Sequence, residues 1–189
     1  RCAQHLNTSR EMPANAIPPL TPPRVIRLLV IHCLDTPNGR HIGVDDVARM
    51  HQERGHDGIQ FHYLIDLYGT VHACRGHERI GRHTRGWNTD SLGIALVGRD
   101  KFGPSQWYAL ANLVEELAAH YQIPLEVPKF VDGRVSGVAG HSDVPNATTR
   151  SPNFSVRDWL AGEMAPMRHA HMLRQGVDID WGARQERWS

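Results

Sequence analysis

Two of the 13 histidines in this 189-residue sequence stand where a side chain can be held rigidly. His32 ends an apolar, β-branched run, Val25-Ile26-Arg27-Leu28-Leu29-Val30-Ile31, of strand length. His141 follows Gly137-Val138-Ala139-Gly140, a short strand or strand end whose glycines let another backbone come close. Both imidazoles therefore emerge at the edge of a sheet. A catalytic zinc takes three ligands from His, Cys or carboxylate, with nitrogens at about 2.0–2.1 Å, and leaves a fourth position to water. Taken alone, however, the pair reads first as core histidines satisfied by hydrogen bonds. His41, His51, His56, His77, His120, His169 and His171 sit in polar or helical contexts without partner spacing and read as surface polar residues.

The elements that must position the two histidines follow from periodicity. Residues 1–24 form a polar arm ending in Ala16-Ile17-Pro18-Pro19-Leu20-Thr21-Pro22-Pro23, a polyproline-type linker or strap. Val44, Val47 and Met50 predict a helix over Val44 to Arg54, stopped by Gly55. Ile59 to Asp66 and Thr70 to Cys74, joined through Tyr68-Gly69, predict a hairpin. Ser91 to Gly98 predicts a buried strand. Trp107, Leu110, Val114, Leu117 and Tyr121 mark one stripe of a helix over Ser105 to Tyr121. Val156 to Met164 predicts a last short helix, and residues 165–189 a tail or helix. Strands alternating with helices, with one hairpin built in, give a single α/β domain over residues 25–164, a central mixed β-sheet flanked by helices.

Composition narrows the function classes. Twenty-one basic residues against 20 acidic ones leave a net charge of +1, which suggests neither nucleic acid nor an anionic membrane surface as partner. No run approaches the roughly 18 apolar residues of a membrane span. The chain lacks an initiator Met and a signal-peptide core, so Arg1 reads as a trimmed or processed start. Cys2, Cys33 and Cys74 are odd in number and read as reduced thiols.

Four sequence words, in order, carry a resemblance. They are Ile31-His32-Cys33 with Thr36-Pro37; His62-Tyr63-Leu64-Ile65 with Tyr68-Gly69-Thr70-Val71; Gly86-Trp87-Asn88 with Ser91-Leu92-Gly93-Ile94; and Gly140-His141-Ser142-Asp143 leading to Ser151-Pro152-Asn153-Phe154. Over residues 25–162 the chain resembles the type 2 N-acetylmuramoyl-L-alanine amidase and peptidoglycan recognition protein superfamily. The resemblance implies that fold, Zn2+ as cofactor, and hydrolysis of the amide between the lactyl group of muramic acid and L-alanine in bacterial peptidoglycan. It implies His32 and His141 as zinc ligands, and a third ligand, Cys or Asp before Pro, at the position of Ser151. Thr149, two residues earlier, matches the position that holds the oxyanion. His83, Trp87 and Asn88 are expected to line the substrate groove, whose ligand is peptidoglycan or a muropeptide.

Two departures bear on activity. Serine is a poor zinc ligand at neutral pH, because its hydroxyl must ionise or bind as a neutral oxygen. Ser151 is either natural, as in relatives that bind peptidoglycan without cutting it, or a substitution introduced to stop catalysis or oxidation. The general base is also missing: phage-type members carry Tyr where this chain has Phe61, and others a Glu where it has Ala95. Strand alternation places Tyr63 on the face of Phe61, so its phenol is the candidate replacement. Asp143 is expected to anchor its loop. Three functions stay open: a zinc amidase acting on the cell wall, in the periplasm or outside the cell and made in the cytoplasm if it is a phage lysin; a non-catalytic peptidoglycan-binding module; and a structural partner in a larger machine.

Overall fold

The computed structural model describes residues 24–131, 135–167 and 169–174; all but the last residue of the arm expected over 1–24, and most of the tail expected over 165–189, lie outside them. Five strands form one mixed sheet. They are β1 (Leu28–Cys33), β2 (Tyr63–Ile65), β3 (Val71–Ala73), β4 (Ser91–Leu96) and β5 (Gly137–Gly140), in the order β3-β2-β4-β1-β5. Only β2 and β3 are antiparallel. The most apolar strands, β1 and β4, are buried at every residue, as central parallel strands must be when both faces are covered.

Period-two alternation divides β1 between the two faces. Leu29, Ile31 and Cys33 enter the larger core with Trp107, Leu110, Val114 and Leu117 of α2 (Pro104–Tyr121) and Trp159 of α3 (Val156–Ala161). Leu28 and Val30 enter a smaller cluster with Val135 and Ala139, and Trp87 and Phe130 pack against it. Val47 of α1 (Val44–Gln52) packs with Leu64, Ala95 and Val97 in a third. Helix α2 begins with Pro104 at its first position, where a missing N–H costs nothing. The Gln106 side chain reaches back to the Gly103 N–H at 3.0 Å and donates to the Val97 carbonyl at 2.9 Å, fastening the helix start to the end of β4. No helix among the described residues is long and apolar enough to cross a membrane.

Three expectations change. The strand expected from Ile59 shrinks to Tyr63–Ile65, because the N–H groups of Cys74 and Arg75 both donate to the His62 carbonyl, at 2.8 and 3.3 Å. Two residues opposite one break the ladder there, and the side-chain alternation fails across residues 60–62. Phe61 accordingly packs against the small α1 cluster, whereas Tyr63 enters the α2 core. His51 and His77, expected at the surface, are buried at 7% and 3% exposure. Arg24, expected as the last residue of the arm, is bound into the domain: its guanidinium donates to the carbonyls of His77, Asn88, Thr89 and Ser91 at 2.7–3.1 Å.

Candidate functional site

The end of β1 delivers His32 to a cluster of rings. Its imidazole, in a residue 4% exposed, lies 5.0 Å centroid to centroid from His141, 5.1 Å from His83 and 5.2 Å from Phe61. His141 arrives from β5, the neighbour of β1, at the start of a short 3-10 turn over His141–Asp143. Asp143 accepts the Gly140 N–H at 2.8 Å and so holds that turn. A Cβ on Gly140 would lie 2.8 Å from Pro152, so only glycine lets the Ser151-Pro152 segment close over the strand end.

Thr149 and Ser151 reach the same place from the following loop. The Thr149 hydroxyl is 2.9 Å from His141 Nδ1. Ser151 Oγ accepts the Cys33 N–H at 2.9 Å, one residue past His32, and Ser151 also hydrogen-bonds the Cys33 thiol. Burial raises the Cys33 thiol, an effect opposed by hydrogen bonds from Ser151 and Asn153.

His83 closes the cluster from behind. Its Nδ1 is 3.2 Å from His32 Nε2, and the Thr84 hydroxyl sits 2.9 Å from the former and 3.2 Å from the latter. The Thr84 oxygen can donate to one imidazole and accept from the other. That arrangement occupies Nε2 of His32 and leaves Nδ1 for anything bound on the far side of the ring. Room for the His83 ring comes from Gly93 in the middle of β4, where a Cβ would stand 2.6 Å from it. A glycine inside a buried strand was the sequence signal for such a close approach.

Burial pushes His32 and His83 well below the ordinary histidine range and lowers His141 as well, so all three imidazoles are neutral at pH 7. Neutral imidazole is the ligating form. His32 and His141 fit the two nitrogen ligands of a metal site. Ser151 does not complete it, because its hydroxyl is engaged with Cys33. Among the described residues, no three His, Cys, Asp or Glu side chains come together as a metal-binding set. The donor set does not fit a three-ligand zinc.

The other expected residues are placed as follows. Tyr63 lies on the opposite face of the sheet, its phenol 2.7 Å from His77 Nε2, and His77 Nδ1 is 2.5 Å from the Tyr121 hydroxyl. The shared face that made Tyr63 a candidate base is therefore corrected: the break at residues 60–62 turns it away from His32. Phe61 stands at the metal-side position and brings no proton-transferring group. Trp87 is half-buried and packs edge-on to Phe130 at 5.1 Å, on the Leu28–Val30 side of the sheet. Asn88 is a loop anchor, since its Oδ1 accepts the N–H groups of His83 and Thr84 at 3.0 and 2.8 Å. Asn88→Ala should cost about 1–3 kcal/mol of stability, the range for leaving polar groups unpaired. Asn88→Asp, which keeps the acceptors, should lose less. Urea unfolding of the two variants checks this, and equal losses would refute the anchoring role.

A family model described as N-acetylmuramoyl-L-alanine amidase matches residues 22–154. The endolysin of Enterobacteria phage K11 is 31% identical over 143 residues, covering 71% of this chain and 85% of that protein. The endolysin of Escherichia phage T7 is 31% identical over 139 residues, 69% and 83% of the two chains. In fold, the chain is similar to the N-acetylmuramoyl-L-alanine amidase LysC of Clostridium intestinale, with a TM-score of 0.61 at 24% identity over 78% of this chain and 91% of that one. It is also similar to the Drosophila peptidoglycan recognition protein SA, with a TM-score of 0.55 at 23% identity over 80% and 83%.

Proposed function

The chain belongs to the N-acetylmuramoyl-L-alanine amidase family, and from that premise we propose that it is a peptidoglycan-directed domain whose His32–His141 cleft binds the junction of muramic acid and stem peptide without cutting it at a rate typical of the family. The observation that carries this reading is the hydrogen bond from the Cys33 N–H to Ser151 Oγ, which commits the residue at the third ligand position to the backbone. Phe61 beside His32 and Tyr63 on the other face support it, because neither presents a proton acceptor to the cleft. With two neutral imidazoles and the Thr149 hydroxyl, the cleft can donate to and accept from the lactyl amide. The Phe61 ring beside His32 gives it an apolar wall.

A second reading, a zinc-dependent amidase that hydrolyses the lactyl–L-alanine amide, has one observation in its favour. Thr149 contacts His141 and can donate a hydrogen bond to a developing oxyanion. Incubating the protein with purified peptidoglycan sacculi separates the two readings. Binding predicts that the protein sediments with the sacculi while no new L-alanine amino termini appear. Release of those termini, blocked by a chelator, would establish the amidase; a protein that stays in the supernatant and releases nothing would end both.

A further inference from the structure

Between β3 and β4 the chain runs from Cys74 to Asp90 without helix or strand. Connections longer than about 12–15 residues with no regular structure are uncommon, and holding one in a single shape means overcoming its conformational entropy. This one carries His83 and Thr84, whose side chains both reach His32 Nε2, at 3.2 Å each. A side chain from outside the loop fastens it. Arg24 Nε donates to the His77 carbonyl at 2.7 Å. One terminal nitrogen donates to the carbonyls of Asn88 and Thr89 at 2.9 and 2.7 Å, and the other to Ser91 at 3.1 Å. His77 lies near the start of the loop and the other three at its end. One planar group therefore closes the loop upon itself.

The contacts continue from there to the site. With its main chain held by Arg24, Asn88 turns its Oδ1 to the N–H groups of His83 and Thr84, at 3.0 and 2.8 Å. The Trp87 N–H donates to the Thr84 carbonyl at 3.0 Å and closes the same turn. Thr84 is buried, and its hydroxyl stands 2.9 Å from His83 Nδ1 as well as 3.2 Å from His32 Nε2. A hydroxyl that donates to one imidazole and accepts from the other decides which ring nitrogen carries the proton. Arg24 reaches the His32 ring only through this series of contacts.

We propose that Arg24 is a positioning residue of the His32–His141 site: by closing the loop over 74–90, its guanidinium sets His83 and Thr84 against His32 and fixes the orientation and tautomer of that ring. The effect on ligand binding rests on the reading that this site holds peptidoglycan. Arginine is the residue the arrangement requires, because its planar fork meets carbonyls from both ends of the loop at once. A lysine ammonium, a compact point charge on a flexible stem, cannot span them.

Nitrogen-15 spectra of the histidine side chains at pH 7.5, with the His32 and His83 signals assigned, test the positioning directly. Each ring should show a single tautomer in the unsubstituted chain. In Arg24→Ala both should move toward the averaged shifts of rings that exchange tautomers. Guanidinium added to that variant at about 10 mM, far below the molar range in which it unfolds proteins, should return them. Arg24→Lys should stay displaced although it keeps the charge. Leu117→Ala, in the core on the opposite face of the sheet, should lower the urea midpoint and leave both rings unchanged. Sedimentation with sacculi should weaken by about tenfold in Arg24→Ala, the lower end of what removing an orienting partner costs at histidine sites, and recover with guanidinium. Unmoved ring signals in Arg24→Ala, native signals in Arg24→Lys, or an equal displacement in Leu117→Ala would each overturn the positioning role. An unsubstituted protein that does not sediment with sacculi would overturn the binding reading instead, and the ring signals would still decide the role of Arg24.

Discussion

Ser151→Cys should raise zinc affinity by about two orders of magnitude or more. A structural zinc binds with an apparent free energy of about 10–16 kcal/mol, so each of four ligands carries about 2.5–4 kcal/mol, and a factor of ten is 1.4 kcal/mol. The two imidazoles are already in place, 5.0 Å apart and neutral, so the substitution supplies the missing soft, anionic ligand without reorganising the rest. A metal that binds only the folded state stabilises it, by about 2.7 kcal/mol at 100 times its Kd, so zinc should raise the Tm of this variant more than that of the unsubstituted chain. Cys33 requires a control. Ser151 hydrogen-bonds its thiol, so a second sulfur at this point can oxidise to a disulfide that mimics the stabilisation. Measuring under reductant, and in the double variant with Cys33→Ala, removes that route. Equal zinc affinity in both forms would mean that position 151 does not face the metal point. Tight zinc binding without cleavage of sacculi would locate the remaining defect at Phe61, and Phe61→Tyr in the same background then tests the missing phenol.

The part of this site that was legible in the sequence was the part fixed by strands. His32 and His141 stand at the ends of β1 and β5, which are adjacent and parallel; the apolar words placed each ring at a sheet edge, and the family resemblance paired them. Thr149 and Ser151 followed only from the family resemblance, which sets their positions after His141. Legibility failed wherever the loops make a non-periodic choice. Tyr63 was assigned to the wrong face because alternation was carried through residues 60–62, where two N–H groups converge on the His62 carbonyl. Asn88 was expected at the substrate groove from the resemblance, yet its oxygen is used by the backbone of His83 and Thr84. Thr84 carried no signal of its own, since a threonine in a polar loop is unremarkable until the fold sets it between two imidazoles. Arg24 was hidden for the same reason: five residues spread over 62–91 surround its guanidinium, and no local pattern encodes so remote a set. Histidine was the least readable residue type. Amphipathic and modest in size, it fits a core when its nitrogens find partners, so polar neighbours in sequence did not report the burial of His51 and His77.

Buried histidines set the second large effect, a loss of stability that begins near pH 6.5 and not in the carboxylate range. His62 Nδ1 accepts the Gly93 N–H at 3.0 Å. A backbone N–H can only donate, so the ring's own proton sits on Nε2, from which it donates to the Arg79 carbonyl at 3.0 Å. A second proton would have to enter at Nδ1 against the Gly93 N–H, and the resulting cation would lie beside the Arg24 guanidinium, 2.9 Å away. Burial first, then Arg24, brings His62 down to about 3 against the favourable pull of the Arg79 carbonyl. Burial first, then Arg24 and His120, brings His77 down to about 4, between the hydroxyls of Tyr63 and Tyr121. Both groups have folded pKa values below the unfolded value of 6.5, so the unfolded chain takes up more protons as pH falls. Their contribution is complete above about pH 7, declines from pH 6.5, and stops declining for each group at its folded pKa. The slope has an upper limit of about 1.4 kcal/mol per pH unit for each histidine, reduced for His77 to the extent that solvent reaches it. Over two pH units that is comparable with a sizeable share of the about 5–15 kcal/mol that hold a domain together. Urea midpoints at pH 7.5, 6.5, 5.5 and 4.5 should fall steadily over the last three values. His62→Gln, which can keep an acceptor and a donor on the same side chain without titrating, should flatten that slope by about one proton. A midpoint constant from pH 7.5 to 4.5, followed by a drop only where carboxylates protonate, would show that these imidazoles accept protons in the folded state and that the Gly93 and Arg24 contacts do not exclude them.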